Sequence, residues 1–242
     1  MYGWRGRIGL IVPSSNTTCE IEFHRMAPEG VSVHTARLFN PEVTREEEKE
    51  KAALEMSKEL LRAAREVASV QPGVILYACT TASFIKGPGY DRQLGEEVKA
   101  ETGISGYSTT TAVVGALKAL GLKRITLATP YNLSIGKKET SFLEKEIPGM
   151  KVVSEKHLGH VGNLPKGRLT PQSAYQTARE IDVPEADGIF ISCTNWRTVE
   201  IIEELERDCG KPVITSTQAS FWIALKALHV AGPKGFGSLF QK

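Results

Sequence analysis

Two cysteines in matching surroundings are the residues of this chain best placed to do chemistry. The stretch GVILYACTTASF, beginning at Gly73, is echoed by GIFISCTNWRTV, beginning at Gly188. In each, an apolar run gives way to a small residue, a cysteine and a threonine. Cys79 and Cys193 therefore fall where a buried strand should end and a helix begin. A free thiol has a pKa of roughly 8.5. The unpaired N–H groups and partial positive charge of a helix N-terminus are worth at most about 2 kcal/mol, or roughly 1.5 pKa units. On that reading each thiol sits near neutrality, able to act as nucleophile, base or acid. Two such thiols facing across a cleft suit adding to a carbon, or moving a proton, on both faces of a small substrate. The adjacent Thr80, Thr81 and Thr194 are donors for a carboxylate or enediolate. Cys19 and Cys209 lie outside the matching stretches and read as structural.

A second cluster, PSSNTT from Pro13 to Thr18, stops a strand and caps the helix after it. Its run of small polar residues exceeds what a cap needs. It reads as an anion cradle in which Ser14, Asn16 and nearby backbone N–H groups hold a carboxylate. The corresponding place later in the chain holds Tyr131, a phenol able to donate to a carboxylate or guide a proton. The segment Gly159–Thr170 is polar, with three glycines and a proline. It reads as a mobile flap from which Asn163 reaches the cleft. His157 and His160 have no third ligand at metal-binding spacing and read as loop histidines. Arg197, one turn past Cys193 on a helix, either pairs with an acidic substrate or lies on a solvated face. No glycine-rich phosphate loop or dinucleotide fingerprint follows any strand.

The elements that must position these groups alternate along the chain. Short apolar, β-rich runs predict strands at Arg7–Val12, Val31–Ala36, Val74–Ala78, Ile104–Tyr107, Ile125–Ala128, Lys151–Ser154, Gly188–Ser192 and Pro212–Thr215. Helical patterns separate them, the clearest a single helix from about Arg45 to Ser69. This alternation predicts parallel α/β sheets covered by helices. Three stretches recur in the same order: RIGLIVPSSN with RITLATPYNL, the two cysteine motifs, and ISGYSTTTAVVGALKAL with PVITSTQASFWIALKAL. Their offsets are 117 residues (Arg7 to Arg124), 114 (Cys79 to Cys193) and 108 (Ile104 to Pro212). Such a series indicates a duplicated lobe. The first lobe is expected at 1–110, completed by 218–242, and the second at 111–217. Trp222, Leu225 and Leu228 form the face expected to pack back on the first lobe. Ligands of parallel sheets sit beyond the carboxyl ends of the strands, so the site is expected in the cleft between lobes.

Composition narrows the partners. The chain has 242 residues, 41% hydrophobic and 24% charged, with a net charge of +2. That is ordinary for a globular enzyme and too weakly basic to point to nucleic acid or a membrane surface. No apolar run reaches membrane-spanning length, and the opening residues lack a signal-peptide pattern. Four cysteines in a chain this long make no disulfide framework, so reduced thiols and a cytoplasmic location are expected.

In order, GLIVPSSNTT, YACTTASF, ATPYN, GHVGN, ISCTNW and PVITSTQASFW resemble the aspartate/glutamate racemase superfamily, in its maleate cis–trans isomerase and arylmalonate decarboxylase branch. The resemblance covers nearly the whole chain. It implies two Rossmann-like α/β/α lobes related by a pseudo-twofold axis, with no cofactor and no metal. It also implies a small dicarboxylate substrate and a homodimer or homotetramer. Carried onto this sequence, it makes Cys79 the nucleophile that adds to an alkene carbon of maleate and Cys193 the proton donor to the neighbouring carbon. Asn16, Tyr131 and Asn163 hold the carboxylates and guide the proton. Decarboxylases of this branch have glycine in place of the first cysteine, so Cys79 argues against that activity, although TASFIKGPGYD reads like their segment. Racemases keep both cysteines but commonly place asparagine and threonine after the first, where this chain has Thr80 and Thr81. A racemase or decarboxylase acting beside a carboxylate is the enzymatic alternative. A two-lobed carboxylate-binding protein is the non-enzymatic one, with no need for reactive thiols.

Overall fold

The computed structural model describes residues 1–242. Eight strands form two four-stranded sheets, and every strand pair is parallel. The first sheet contains β1 (Gly6–Pro13), β2 (Val31–Leu38), β3 (Val74–Tyr77) and β4 (Gly106–Ser108), in the order β2-β1-β3-β4. The second contains β5 (Arg124–Tyr131), β6 (Lys151–His160), β7 (Gly188–Ile191) and β8 (Val213–Thr215), in the corresponding order β6-β5-β7-β8. In both sheets the central pair is almost wholly buried, which is why those strands read as continuous apolar runs rather than alternating ones.

The helices after the two last strands carry the lobes across one another. Thr109–Ala119 follows β4 and Ser216–Ala227 follows β8, and these two helices pack together. Each starts on a cap from its own strand end. Ser108 Oγ accepts the Thr111 N–H at 3.1 Å, and Thr215 and Gln218 close a reciprocal capping box. Ser216–Ala227 also packs against the helix Cys19–Met26 and β3, with Phe221 edge-on to Phe23 at 5.1 Å between centroids. Leu228, at its end, covers Gly6 and Gly73, where a β-carbon would come within 2.8 and 2.5 Å of its methyls. Leu122, after the first of these helices, covers Gly188 in the same way. One apolar core consequently runs through both lobes, and a smaller one lies between the first sheet and the helix Leu60–Ala68.

Three local expectations are corrected. The helix predicted over Arg45–Ser69 is two helices, Glu46–Ser57 and Leu60–Ala68. The second lays Leu60, Ala63, Ala64 and Val67 on the sheet, whereas the first turns Lys49, Ala53 and Met56 toward the strand ends. Ser57 sits at the break, donating to Ala53 O at 2.9 Å and meeting the Tyr77 hydroxyl at 3.0 Å. Both pieces keep helical spacing, so periodicity does not reveal the change of direction. The region expected as a flap is instead the end of β6, through His160, followed by the helix Asn163–Gly167. His157 and His160 thus lie on a strand, not a loop, and His157 exchanges a 2.9 Å hydrogen bond with Thr129. Finally, no helix starts at Cys193: turns run as far as the helix Ile202–Cys209. Thr198 and Val199 donate their N–H groups to Glu22 at 2.7 and 3.2 Å, and the buried Trp196 donates to Ser173 at 3.1 Å. These anchors draw the chain away before it can coil.

Behind the second sheet, Glu139 on the helix Leu133–Glu146 accepts a hydrogen bond from Ser192 Oγ at 2.7 Å. It has no cationic partner, and burial pushes its carboxyl up to about 8. Because the folded protein holds this proton more tightly than the unfolded chain, stability is greatest below the ordinary glutamate range near pH 4.5 and is lost as pH rises toward 8. Glu22, pushed up to about 7 by burial, adds to the same trend. The share of the melting temperature carried by these two carboxyls should therefore fall by several degrees over this window, against an opposite contribution from His157 and His160, which burial shifts down. Glu139→Gln keeps the Ser192 bond and should flatten the slope, as differential scanning calorimetry at stepped pH will show.

Candidate active site

The carboxyl ends of β1, β3, β5 and β7 converge on one cleft between the lobes. It is lined by Asn16, Asn40, Lys49, Cys79, Thr80, Thr81, Tyr131, Asn163, Lys166, Cys193, Thr194 and Asn195, with Pro13, Ala53 and Met56 as its apolar part. Cys79 follows β3 as the extended cap residue of the five-residue helix Thr80–Phe84. Cys193 follows β7 with φ +109°, a conformation that a side chain strains to hold. Its backbone N–H donates to Ser216 Oγ at 2.9 Å, and the Asn195 N–H turns onto its Sγ at 3.3 Å. The loop geometry therefore aims this thiol and supplies it with a donor.

The threonines hold the walls together. Thr80 donates to Ser216 at 3.1 Å, and Thr194 donates to Ala78 O at 3.2 Å. Both bonds cross between lobes. Asn16 does two jobs: its Oδ1 caps the next helix by accepting from Thr18 and Cys19 at 3.0 and 2.9 Å, while its Nδ2 donates to Thr194 O at 3.2 Å. The hydroxyls of Thr80 and Thr194, expected as carboxylate donors, are thus already engaged. Ser14 does not line the cleft; its Oγ accepts the Asn40 N–H at 3.0 Å and holds the turn after β1. Thr81 lines the cleft beside Tyr131, whose buried hydroxyl lies near Thr81, Ser192 and Cys193.

Asn163 reaches the cleft from the short helix after β6. Its Nδ2 donates to Ser15 Oγ at 3.0 Å and its Oδ1 accepts from Lys49 Nζ at 3.3 Å. The Glu42 carboxylate caps that helix by accepting the N–H groups of Asn163 and Leu164 at 3.2 and 3.3 Å. Asn195 ties the same helix down, donating to Asn163 O at 2.9 Å while accepting the Thr17 N–H at 2.9 Å. The glycines on either side permit the closeness: a β-carbon on Gly162 would collide with Glu42, and one on Gly167 with Thr17. Arg197 is exposed and pairs with Glu200 at 2.8 Å, outside the cleft.

Electrostatics differ from the helix-terminus expectation. Burial raises both thiols, Cys79 to about 11, against the opposing pull of the Ala82 N–H, Lys49 and Lys166. A five-residue helix has little dipole with which to offset desolvation. Periodicity passed over Lys49 and Lys166 altogether. Lys49 sits in a Glu- and Lys-rich helix of solvated appearance, and only its spacing with Ala53 and Met56, one helical face, hinted otherwise. Lys166 is 2% exposed and donates to Val161 O at 2.9 Å, with its ammonium 5.2 Å from the centre of the Tyr131 ring. No three His, Cys, Asp or Glu side chains converge as metal ligands, and no helix is long and apolar enough to cross a membrane.

Comparison with known proteins agrees with this geometry. The family described as arylmalonate decarboxylase matches residues 8–240. The maleate isomerase of Nocardia farcinica is 32% identical over 248 residues, covering 98% of this chain and 96% of that protein. Among solved structures, an alanine variant of a Pseudomonas putida maleate isomerase with maleate superposes with a TM-score of 0.90 at 26% identity, covering 97% of each chain. A serine variant of the Nocardia farcinica maleate cis–trans isomerase, with a covalently bound succinylcysteine intermediate, superposes with a TM-score of 0.88 at 29% identity, covering 98% of this chain and 99% of that one. Two parallel sheets in corresponding order, their strand ends closed over a pair of cysteines, place this chain in the arylmalonate decarboxylase family.

Proposed function

We propose that this protein isomerises maleate to fumarate through a covalent cysteine adduct. The observation that carries the reading is the pair of thiols, Cys79 and Cys193, lining one cleft from the ends of β3 and β7. The maleate isomerase relative spans almost the whole chain, and the succinylcysteine in the similar structure is the adduct such chemistry forms. A binding protein has no use for two thiols in one cleft, one buried and one half-buried, beside a phenol.

The steps follow from the residues. Cys79 first gives up its S–H proton to water and then, as thiolate, adds to one alkene carbon; a C–S bond forms and the π pair moves to the neighbouring carbon and its carboxylate. Cys193 delivers a proton there, with the Tyr131 hydroxyl beside it to guide the transfer. The former double bond is now single and rotates. Cys193 then recovers the proton, the C–S bond breaks and fumarate leaves. Neither redox change nor hydrolysis occurs, so the two thiols account for every atom and electron, and turnover proceeds without cofactor or metal. Asn16, Asn163, Tyr131, Thr81 and the backbone beside Thr80 and Thr194 hold the carboxylates, neutralising charge as it develops. Ser14 belongs to the reading only as the support of the β1 turn.

The division into lobes at 1–110 with 218–242, and 111–217, belongs to the same proposal, supported by the crossing of the helices after β4 and β8. So do a cytoplasmic setting, in which the four thiols stay reduced, and a homo-oligomeric assembly, to be measured by light scattering.

Proton NMR of purified protein with maleate should show fumarate accumulating. Cys79→Ser should lose turnover by about a thousandfold or more. Cys193→Ser should trap a species heavier by one maleate, visible by intact mass spectrometry. Absence of fumarate from the reduced wild type, with phenylmalonate losing CO2 instead, would move the assignment to decarboxylation. The elevated Cys79 pKa makes a separate prediction. In the empty protein its alkylation by iodoacetamide should be slow at neutrality and still accelerating above about pH 9.5, where an ordinary thiol, with a pKa of roughly 8.5, has levelled off.

A further inference from the structure

We propose that Lys49 and Lys166 form a dianion-selecting subsite, in which two buried ammonium groups bind the second carboxylate of a cis-dicarboxylate. This deepens the isomerase reading and rests on it for the identity of the substrate, not for the class of ligand.

Both lysines line the same cleft as the two thiols, and they are only 8% and 2% exposed. Buried lysines ordinarily have a carboxylate partner. Neither of these takes part in an ion pair, and no Asp or Glu lines the cleft. Lys49 has one protein acceptor, Asn163 Oδ1, and Lys166 one, Val161 O. Each ammonium carries three N–H groups, leaving donors on both with no protein partner. The two cations also face one another: burial first, and Lys49 next, push Lys166 down to about 7. Two ammonium groups side by side in a buried cleft, with no carboxylate of the protein between them, are costly to charge together, and Lys166 holds its proton only weakly near neutrality. A carboxylate between them would neutralise both and accept their free hydrogens.

The surroundings suit that occupant. Lys49 shares one helix face with Ala53 and Met56, so the charged end of a ligand would lie beside an apolar wall fit for its carbon chain. Lys166 leans over the Tyr131 ring, and Asn163 joins the same corner. Meanwhile the hydroxyls of Thr80 and Thr194 across the cleft are taken up by bonds between lobes. The lysines are therefore the strongest free donors available to a second carboxylate. A monocarboxylate of equal length would leave them unneutralised.

Succinate, which has no double bond to isomerise, and butyrate, its monocarboxylate counterpart, separate binding from turnover. Isothermal titration of the wild type should show succinate binding more tightly than butyrate by about 30-fold or more. Lys49→Met and Lys166→Met should each remove most of that preference while leaving butyrate within about threefold. Both variants should keep or raise the melting temperature, since each deletes an unpaired buried charge. Lys166→Arg retains the charge and should restore part of the preference, which guards against a packing defect in the methionine variant. Succinate affinity unchanged in both methionine variants, or an equal loss for butyrate, would overturn the subsite. If fumarate never forms yet the lysines still govern succinate affinity, the isomerase reading fails and the subsite stands.

Discussion

Two parallel sheets turned end to end must bury their polar carboxyl ends against each other, and this constraint organises the protein. Strand ends of parallel sheets expose the last carbonyls, the caps of the following helices and the small polar residues of the connecting turns. Closing two such ends on one another removes them from water, and every group so buried needs a partner. The bonds from Thr80 to Ser216, Thr194 to Ala78 and Asn16 to Thr194 answer that need, and all three cross between lobes. Two thiols, a phenol and two ammoniums line the cleft between these bonds.

Closure is reinforced from behind by apolar packing. The helices Thr109–Ala119 and Ser216–Ala227 bind each lobe to the other through a common core, with Leu228 and Leu122 seated on glycines of the sheets. From the front, Glu42 and Asn195 pin the helix Asn163–Gly167 over the cleft. The burial this produces has two opposite electrostatic effects. It raises Cys79 and Cys193, holding them as thiols at rest, and it lowers Lys166, making its charge expensive without an anion.

Strand position was legible in the buried central strands and in the half-buried edge strands alike, because each begins as a short β-rich apolar run. All eight apolar runs correspond to strands, and the duplicated motifs occupy corresponding places in sheets of corresponding order. Cys79, Cys193, Tyr131, Asn16 and Asn163 stood out because each follows or interrupts such a pattern. Other features stayed hidden because local spacing is blind to direction. The break at Lys58–Glu59 leaves helical periodicity intact on both sides. Cys193 has the same sequence context as Cys79, yet Glu22 and Ser173, distant in the chain, keep a helix from starting after it.

By itself the sequence determined the alternation of strand and helix, the duplication and the chemical kind of the groups at the strand ends. Those follow from hydrophobic periodicity and residue type, which are local. Only the tertiary structure decided which polar groups remain free. The hydroxyls of Thr80 and Thr194 turn out to be structural donors, and Ser14 a turn support. Lys49 and Lys166, drawn from segments with the look of solvent-facing surface, become the buried charges of the cleft. Burial and hydrogen-bond partnership are set by what folds over a residue from elsewhere in the chain, and no pattern of neighbours in sequence contains that information.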